Sequence, residues 1–205
     1  MLGIIDYNMG NLASVYNACS KFSQDVKIIK NPNEILKCDK IILPGVGAYK
    51  DAMEHLEKFE LKSAILDFAN SNKPLLGICL GMQLLFESSE EFGFTKGLGL
   101  IEGSVVAFDK NKFEKNSQDL KIPHMGWNRA LNKNSPIFDG LSNPYLYFVH
   151  SFHAITKDEF TIAHTNYGYS FASAVNKNNI FGFQAHPEKS HTNGLKILEN
   201  FITKI

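Results

Sequence analysis

The stretch that decides the fold is Lys73-Pro-Leu-Leu-Gly-Ile-Cys-Leu-Gly-Met-Gln83. It begins as a short apolar run, typical of a buried strand, and passes through Gly77-Ile-Cys79-Leu-Gly81 into residues with helical character. In a G-x-C-x-G turn of this kind, a nucleophile sits on strained backbone, and the glycines avoid clashes with neighbouring strands and the following helix. The pattern predicts that Cys79 lies at the carboxyl end of a sheet, beside the start of a helix.

Cys79 is a candidate nucleophile because its expected position favours the thiolate. An ordinary cysteine has a pKa of about 8.5, so only a few per cent of it is thiolate at neutral pH. A helix N-terminus and a nearby imidazolium both favour the charged form. The alternative is a core cysteine that ends a strand, and Cys19 and Cys38 are assigned to that class because no glycines bracket them.

A candidate base follows the apolar run Ile180–Phe183, in the stretch Gly182-Phe-Gln-Ala-His-Pro-Glu-Lys-Ser190. Pro187 fixes its own φ and restricts the residue before it, so His186 and Glu188 are expected in a stiff turn. A carboxylate bonded to one ring nitrogen selects the tautomer and leaves the other nitrogen free to face sulfur. Alone, this segment also fits a surface turn; its pairing with the Cys79 turn favours a catalytic role.

A glycine-rich turn, Pro44-Gly-Val-Gly-Ala48, follows the predicted strand that ends at Leu43. Such a turn exposes backbone N–H groups, here those of Val46 and Gly47, that can bind an oxyanion together with the N–H of Leu80. An ordinary tight turn is the alternative. A phosphate-binding loop is disfavoured because the G-K-[ST] ending is missing.

The hydrophobic pattern predicts an α/β fold. In the N-terminal half, four short apolar runs alternate with longer segments of helical spacing, as expected for a parallel sheet with helices on both faces. The predicted strands are Leu2–Asp6, Val26–Ile29, Lys40–Leu43 and Pro74–Ile78, and the helical segments include 11–22 and 51–70.

The C-terminal half has a different pattern, with short β-type runs separated by Asn, Gly or Lys. These runs predict antiparallel strands that extend the central, mostly parallel sheet, followed by a helix at 192–203; residues 109–121 are expected to form a solvated surface loop. The length fits one domain, residues 1–205. The predicted strands are 104–108, 145–149, 161–164, 172–175 and 180–183.

Composition narrows the function classes. The 21 basic and 21 acidic residues give a formal net charge of zero, so no broad basic field favours nucleic acid or anionic lipid. The start lacks the pattern of a secretory signal and no apolar run approaches a bilayer span, so a cytoplasmic location is expected. No metal site or cofactor is expected, since His150 and His153 have no third ligand nearby in sequence and are interpreted as structural or substrate-adjacent.

Several blocks together resemble the class I, triad-type glutamine amidotransferases, and within them the glutaminase subunits of imidazole glycerol phosphate synthases. The blocks span almost the whole chain in family order, and the P-H-M-G-W-N block distinguishes this group from other glutaminases. Two positions depart from the common pattern: Asn8 stands where many members carry Gly, and Phe152 where many carry Tyr. The blocks are 6–11, 44–47, 77–86, 123–128, 148–151 and 182–190.

The resemblance implies a catalytic triad of Cys79, His186 and Glu188, with glutamine as substrate and a thioester intermediate. It also implies that Gly47 flanks the oxyanion site. By the same resemblance, Gln83, Glu91 and Ser151 contact the amino-acid end of glutamine. The ammonia would pass to a (β/α)₈-barrel cyclase subunit in a heterodimer, contacted by Asn11, Met125, Trp127 and Lys189.

Alternatives remain open at the level of the sequence. A paralogous glutaminase that supplies another amidation, such as that of a sugar, would have the same triad. A cysteine peptidase on the same scaffold would form its thioester with peptides. A regulatory or binding module would have kept the scaffold without catalytic activity. The only tryptophan, Trp127, fits an interface and a core position about equally well.

Overall fold

The computed structural model describes residues 1–117 and 119–205. Within these two ranges, helices alternate with short strands in the N-terminal half, as the hydrophobic pattern predicts. The helices are α1 (Leu12–Cys19), α2 (Pro32–Ile35), α3 (Tyr49–Lys58), α4 (Leu61–Asn70), α5 (Leu80–Leu84) and α6 (His191–Thr203). None of the helices in these two ranges is long and apolar enough to span a bilayer.

The strands are β1 (Leu2–Ile5), β2 (Val26–Ile29), β3 (Lys40–Leu43), β4 (Leu75–Ile78), β5 (Phe86–Ser89), β6 (Thr95–Lys96), β7 (Ile101–Ala107), β8 (His124–Arg129), β9 (Leu131–Asn132), β10 (Tyr145–His150), β11 (Phe152–Ile155), β12 (Thr161–Tyr167), β13 (Tyr169–Lys177) and β14 (Ile180–Phe183). The sheet has a parallel half in the order β2-β1-β3-β4-β14. From β14 the sheet continues through antiparallel neighbours β13, β11 and β7 to β5 and β6. The fold is therefore α/β with a mostly parallel central sheet and antiparallel strands, as predicted.

Helices cover both faces of the parallel half. Along β1, Leu2 and Ile4 belong to the apolar cluster that also contains buried residues of α1 and α6, whereas Ile5 belongs to the cluster formed with α3 and α4. Successive strand residues point to opposite faces, so α1 and α6 lie on one side of the sheet and α3 and α4 on the other.

The order of strands brings three loops to one edge. Strand β4 pairs in parallel with β3 on one side and with β14 on the other. Parallel neighbours end at the same edge of a sheet, so the segments after Leu43, Ile78 and Phe183 meet there. These are the glycine-rich turn, the Cys79 turn and the segment that contains His186.

Two predicted helices or strands differ from the structure in more than their bounds. The helical segment 51–70 is two helices, α3 and α4, because Glu60 between them has a φ of 58° and cannot continue a right-handed helix. The strand at 145–149 does not extend the main sheet, because β10 pairs with β8 in a separate two-stranded antiparallel ribbon.

The predicted solvated loop at 109–121 is only partly exposed. Phe113 is buried, and its ring contacts those of Phe108, Tyr167 and Tyr169 at centroid separations of 6.3, 6.3 and 5.6 Å. An aromatic side chain in an otherwise polar segment therefore anchors that segment to the second half of the sheet. Gln118, within the predicted loop, lies outside the described residues.

Candidate active site

Cys79 occupies strained backbone at the junction of β4 and α5. Its φ of 54° and ψ of −111° lie outside the regions that L-residues ordinarily adopt. The strain is held by surrounding structure, since the Cys79 N–H donates to the carbonyl of Phe183 on the neighbouring strand at 2.7 Å. The side chain is buried, with 7% of the residue exposed.

The glycines that flank Cys79 are required by close backbone contacts. A Cβ atom at Gly81 would lie 1.8 Å from the carbonyl oxygen of Leu43, and one at Gly77 would lie 2.7 Å from the carbonyl oxygen of Gly81. Both obstacles are backbone atoms, which cannot rotate away as a side chain does. The G-x-C-x-G spacing is therefore a packing requirement of the turn that presents the sulfur.

His186 and Glu188 form a buried pair at the end of β14. His186 Nδ1 is 2.8 Å from Glu188 Oε1, and the two side chains are only 2% and 1% exposed. Pro187 begins a short 3₁₀ turn, Pro187–Lys189, that holds the two side chains on the same side of the chain. Because a carboxylate only accepts, Nδ1 carries the proton in this bond.

The second ring nitrogen of His186 is available for chemistry. Nε2 is buried and makes no hydrogen bond of ordinary geometry within the described residues. Burial opposes the charged form of the ring, but the interactions with Cys79 and Glu188 together outweigh it and raise the pKa of His186 to about 10. An imidazolium held between a sulfur and a carboxylate can protonate a leaving group and later act as base.

These groups line a single pocket of about 530 Å³, within the range typical of small-molecule sites. The pocket brings together every predicted residue of the triad except Glu188, which lies behind His186, and every residue predicted for the oxyanion and substrate sites. Its lining includes Val46, Gly47, Cys79, Leu80, Gln83, Glu91, Ser151 and His186.

The predicted oxyanion donors differ in whether their backbone N–H groups are already hydrogen-bonded. Leu80 is the first residue of α5, where the N–H has no partner inside the helix. The Val46 N–H is already bonded to the carbonyl oxygen of Met9 at 2.9 Å. Gly47 has a φ of 105°, which side-chain-bearing residues rarely adopt. The glycine-rich turn therefore lies beside the sulfur, but one of its two predicted donors is occupied.

The predicted substrate contacts lie around the rest of the pocket. The Glu91 carboxylate accepts the N–H of Tyr49, at the start of α3, at 2.7 Å. Burial raises the pKa of the Glu91 carboxyl above its usual value, although this bond opposes the shift. The Gln83 amide donates to the carbonyl of Phe152 at 3.1 Å, and Ser151 lies beside that residue in the pocket wall.

The predicted partner-contact residues lie at the surface. Met125 and Trp127 are 62% and 45% exposed and lie on the same face of β8, so Trp127 is not a core residue. The Trp127 ring stacks on His191, at the start of α6, with centroids 4.9 Å apart. Lys189 is exposed two residues earlier, and Asn11 is exposed and caps α1 by accepting the N–H of Ser14 at 3.4 Å.

His150, interpreted from the sequence as structural or substrate-adjacent, lines the pocket and forms a buried pair with His124. His150 Nδ1 donates to the carbonyl of Phe152 at 2.8 Å, so His150 Nε2 must accept from His124 Nδ1 at 2.9 Å. His124 Nε2 in turn accepts from the Asn128 amide at 3.2 Å. Both rings are therefore neutral. His153 is likewise buried, between Ala154 O at 3.1 Å and the Tyr169 hydroxyl at 2.8 Å.

The neutral pair predicts acid sensitivity. Burial lowers the pKa of His124 to about 4, and burial together with His124 holds the pKa of His150 well below 6.5. Between pH 6.5 and 4 the unfolded chain binds more protons than the folded chain, so the free energy of unfolding falls as pH drops through that window. The loss from His124 is roughly 3 kcal/mol, at about 1.4 kcal/mol per pKa unit.

Urea unfolding between pH 7 and pH 4 measures this loss. A His124→Gln variant has no titrating ring and is expected to show a smaller pH dependence than the unmodified chain. His191→Gln, at an exposed position, is the control and is expected to keep the full dependence. Equal pH dependence in His124→Gln and the unmodified chain would contradict the assignment.

The chain belongs to the class-I glutamine amidotransferase family, whose model matches residues 3–205. It is 61% identical over 203 residues to imidazole glycerol phosphate synthase subunit HisH of Sulfurimonas denitrificans, a match that covers 98% of this chain and 97% of the relative. The HisH subunit of Wolinella succinogenes is 55% identical over 204 residues, with 98% of each chain covered.

A solved structure has the same fold. The structure of PurLQS from Thermotoga maritima matches with a TM-score of 0.75 at 18% identity, over 98% of this chain and 96% of that one. At this identity the likeness concerns the fold alone. It agrees with the α/β architecture predicted from the alternation of apolar runs.

Proposed function

We propose that the chain is the glutaminase subunit of an imidazole glycerol phosphate synthase and releases ammonia from glutamine for histidine biosynthesis. The observation that carries the chemistry is the arrangement of Cys79 on its strained turn and the buried His186–Glu188 pair at one pocket. The pathway is inferred from the HisH relatives, which match nearly the full length of the chain. We further propose that residues 1–205 form one glutamine amidotransferase type 1 domain.

In the proposed first half-reaction, the Cys79 thiolate attacks the side-chain amide carbon of glutamine. The carbonyl electrons move onto oxygen, where backbone N–H groups stabilise the negative charge. When the tetrahedral intermediate collapses, the C–N bond breaks and the His186 imidazolium gives its proton to the departing nitrogen. The products of this step are ammonia and a glutamyl thioester on Cys79.

In the second half-reaction, neutral His186 takes a proton from water, and the resulting hydroxide attacks the thioester carbon. The C–S bond breaks and the thiolate–imidazolium pair is restored, while the new carboxyl group loses its proton to solvent as glutamate leaves. Glu188 holds the ring in the required tautomer throughout and stabilises the imidazolium. No metal or cofactor is needed for either step.

We assign substrate recognition to Gln83, Glu91 and Ser151. Glu91 offers a carboxylate at the pocket wall that suits the α-ammonium group of glutamine. Both amide hydrogens of Gln83 are used inside the protein, so its carbonyl oxygen is the atom available to a substrate donor. Ser151 can offer its hydroxyl or its backbone N–H to the α-carboxylate.

We propose that the partner is a cyclase subunit with a (β/α)₈-barrel fold, bound in a heterodimer through Asn11, Met125, Trp127 and Lys189. Ammonia in bulk water at neutral pH is largely protonated and then cannot act as a nucleophile, which favours direct transfer within a complex. The exposed apolar and aromatic side chains on β8 fit the composition of an interface core. We expect the complex to be cytoplasmic, with no nucleic-acid or membrane partner.

We also propose that the partner completes the oxyanion site. The Val46 N–H must leave the Met9 carbonyl before it can bind an oxyanion. One donor of this kind typically contributes about 10²–10³ in rate. The isolated chain is therefore expected to hydrolyse glutamine at least ~10²-fold more slowly than the complex with the cyclase subunit and its nucleotide ligand.

Glutamate release measured with and without the cyclase subunit and its ligand tests both proposals. A complex that contains the Cys79→Ala chain is the control for contaminating glutaminase. Equal turnover in the presence and absence of partner and ligand would remove the idea that the partner completes the site. No glutamate release under any condition would count against the glutaminase assignment itself.

A further inference from the structure

A buried glutamine contacts the sulfur of Cys79 and has no role in the mechanism above. Gln184 lies just after β14 and is completely buried. Its Nε2 is 3.8 Å from Cys79 Sγ, a hydrogen-bond distance for a sulfur acceptor. The carbonyl oxygen of Val149 is also close to the sulfur, at 3.9 Å. Besides the His186 ring, the sulfur therefore has one N–H donor and one carbonyl acceptor near it.

The orientation of the Gln184 amide follows from its neighbours. The carbonyl of Phe152 can only accept, so the end of Gln83 that lies 3.1 Å from it is the NH₂ group. The same NH₂ group is 3.0 Å from Gln184, and that atom must be an oxygen if it is to accept. With Oε1 facing Gln83, the NH₂ group of Gln184 is directed at the sulfur.

The acceptor that orients Gln83 is itself held in place. The Phe152 carbonyl also accepts the Nδ1–H of His150 at 2.8 Å, and His150 is fixed by His124. All of these groups except part of Phe152 are buried. The Gln184 amide does not rotate freely, because reversal would place its NH₂ group against the NH₂ group of Gln83, and neither group can accept.

We propose that Gln184 is a catalytic hydrogen-bond donor to the Cys79 thiolate and that Gln83 is the positioning residue that orients it. The inference rests on the proposed glutaminase function, in which Cys79 is the nucleophile. Gln184 supplies what the Val149 carbonyl cannot: the carbonyl accepts a bond from the neutral thiol but repels the thiolate, whereas the amide N–H stabilises the thiolate.

A neutral donor has a specific advantage in this reaction. His186 loses its proton when the leaving nitrogen is protonated, so its stabilisation of sulfur disappears in mid-reaction. The Gln184 N–H cannot be transferred and is present in every step. When the thioester is cleaved, it can stabilise the charge that returns to sulfur as the C–S bond breaks.

The rate of Cys79 alkylation by iodoacetamide, followed by peptide mass spectrometry across a pH series, tests the proposal on the full chain. In Gln184→Met, a side chain of similar length without a donor, the rate at pH values below the midpoint of the profile is expected to fall roughly tenfold, as for loss of one hydrogen bond to a charged group. The midpoint of the pH profile is expected to move upward by about one pH unit. The plateau rate at high pH is expected to stay within about twofold, since the thiolate itself remains accessible.

Two further variants separate this role from a structural one. Gln83→Met leaves Gln184 in place but removes the donor that orients it, so a smaller shift in the same direction is expected. Asn200→Leu is the matched control, because Asn200 is an equally buried amide that donates to Ile137 O at 3.0 Å and Asp139 O at 2.8 Å, away from the sulfur. It is expected to lower stability and leave the alkylation profile unchanged.

The outcomes are distinguishable. A Gln184→Met profile that overlays that of the unmodified chain, or that loses its plateau without a shift in midpoint, would overturn the role of Gln184 and leave the glutaminase assignment intact. Failure of Cys79 to react in the unmodified chain at any pH would instead overturn the role of Cys79 as nucleophile.

Discussion

Replacing Cys79 by alanine is expected to abolish glutamine-dependent synthesis in the complex with the cyclase subunit, with a loss of at least ~10⁴-fold. Synthesis from added ammonium salts is expected to persist, because the partner would still receive ammonia from solution. The Cβ atom of alanine occupies the space that the cysteine Cβ already has, so the strained turn and its bond to Phe183 can be kept. Product formation from glutamine and from ammonium chloride, measured on the same preparation, gives both rates.

Cys19→Ala is the matched control for this experiment. Cys19 is a buried core cysteine, and burial raises the pKa of its thiol to about 12, so it is an inert thiol at neutral pH. That variant is expected to keep glutamine-dependent synthesis. If Cys79→Ala lost both the glutamine-dependent and the ammonium-dependent activity while the complex stayed assembled, the proposed division of labour would be wrong.

Replacing Glu188 by glutamine is expected to lower glutaminase turnover by about 10³–10⁴-fold with little effect on folding. The side chains have nearly the same shape, but the amide NH₂ can donate to Nδ1 of His186 and select the tautomer in which Nε2 carries the only ring proton. Such a ring cannot take a proton from water on the side facing Cys79. The imidazolium also loses the carboxylate that helps to raise its pKa.

Glutamate release by the complex as a function of pH measures this effect. Glu199→Gln is the control, since Glu199 pairs with Lys196 at 2.8 Å on the solvent-facing side of α6. The control is expected to retain full turnover. A Glu188→Gln variant with near-normal turnover would show that orientation of His186 does not depend on the carboxylate.

Much of the parallel half of the fold was predictable because each of its strands is a short apolar run. The strands Val26–Ile29, Lys40–Leu43 and Ile180–Phe183 have the predicted bounds. Their order in the sheet was not predictable from local pattern, because β4 pairs with β14, which lies about a hundred residues later in the chain. That pairing brings Cys79 and His186 together.

The break between α3 and α4 could not be predicted from the spacing of apolar residues. Helical spacing of apolar residues continues through residues 51–70, and neither Gly nor Pro marks the interruption. Glu60 nevertheless adopts a left-handed conformation, and a turn of this kind is set by how the two helices pack on the sheet.

Asn8 also has a positive φ, of 65°, in the place where many family members carry Gly, and Asn tolerates this conformation better than most residues.

The contacts between residues of the site were harder to predict than which residues form it. The motif that contains His186 also contains Gln184, but nothing in its spacing indicates that the amide faces a sulfur 105 residues away. The orientation of the Val46 N–H depends on a backbone carbonyl, that of Met9, and no residue type encodes it. Residue identities predicted which chemistry is possible; the three-dimensional neighbours decide which atoms are free to perform it.

The fluorescence of Trp127, which stacks on His191, is an intrinsic probe of the surface around that pair. The protein has one tryptophan, and that indole is partly exposed on β8 rather than enclosed in either apolar cluster. Its emission therefore reports the environment of this one surface patch. A spectral change on titration with a protein that contains no tryptophan can be assigned to this patch without any attached dye, and the wavelength of maximum emission tells whether water has been displaced from the ring.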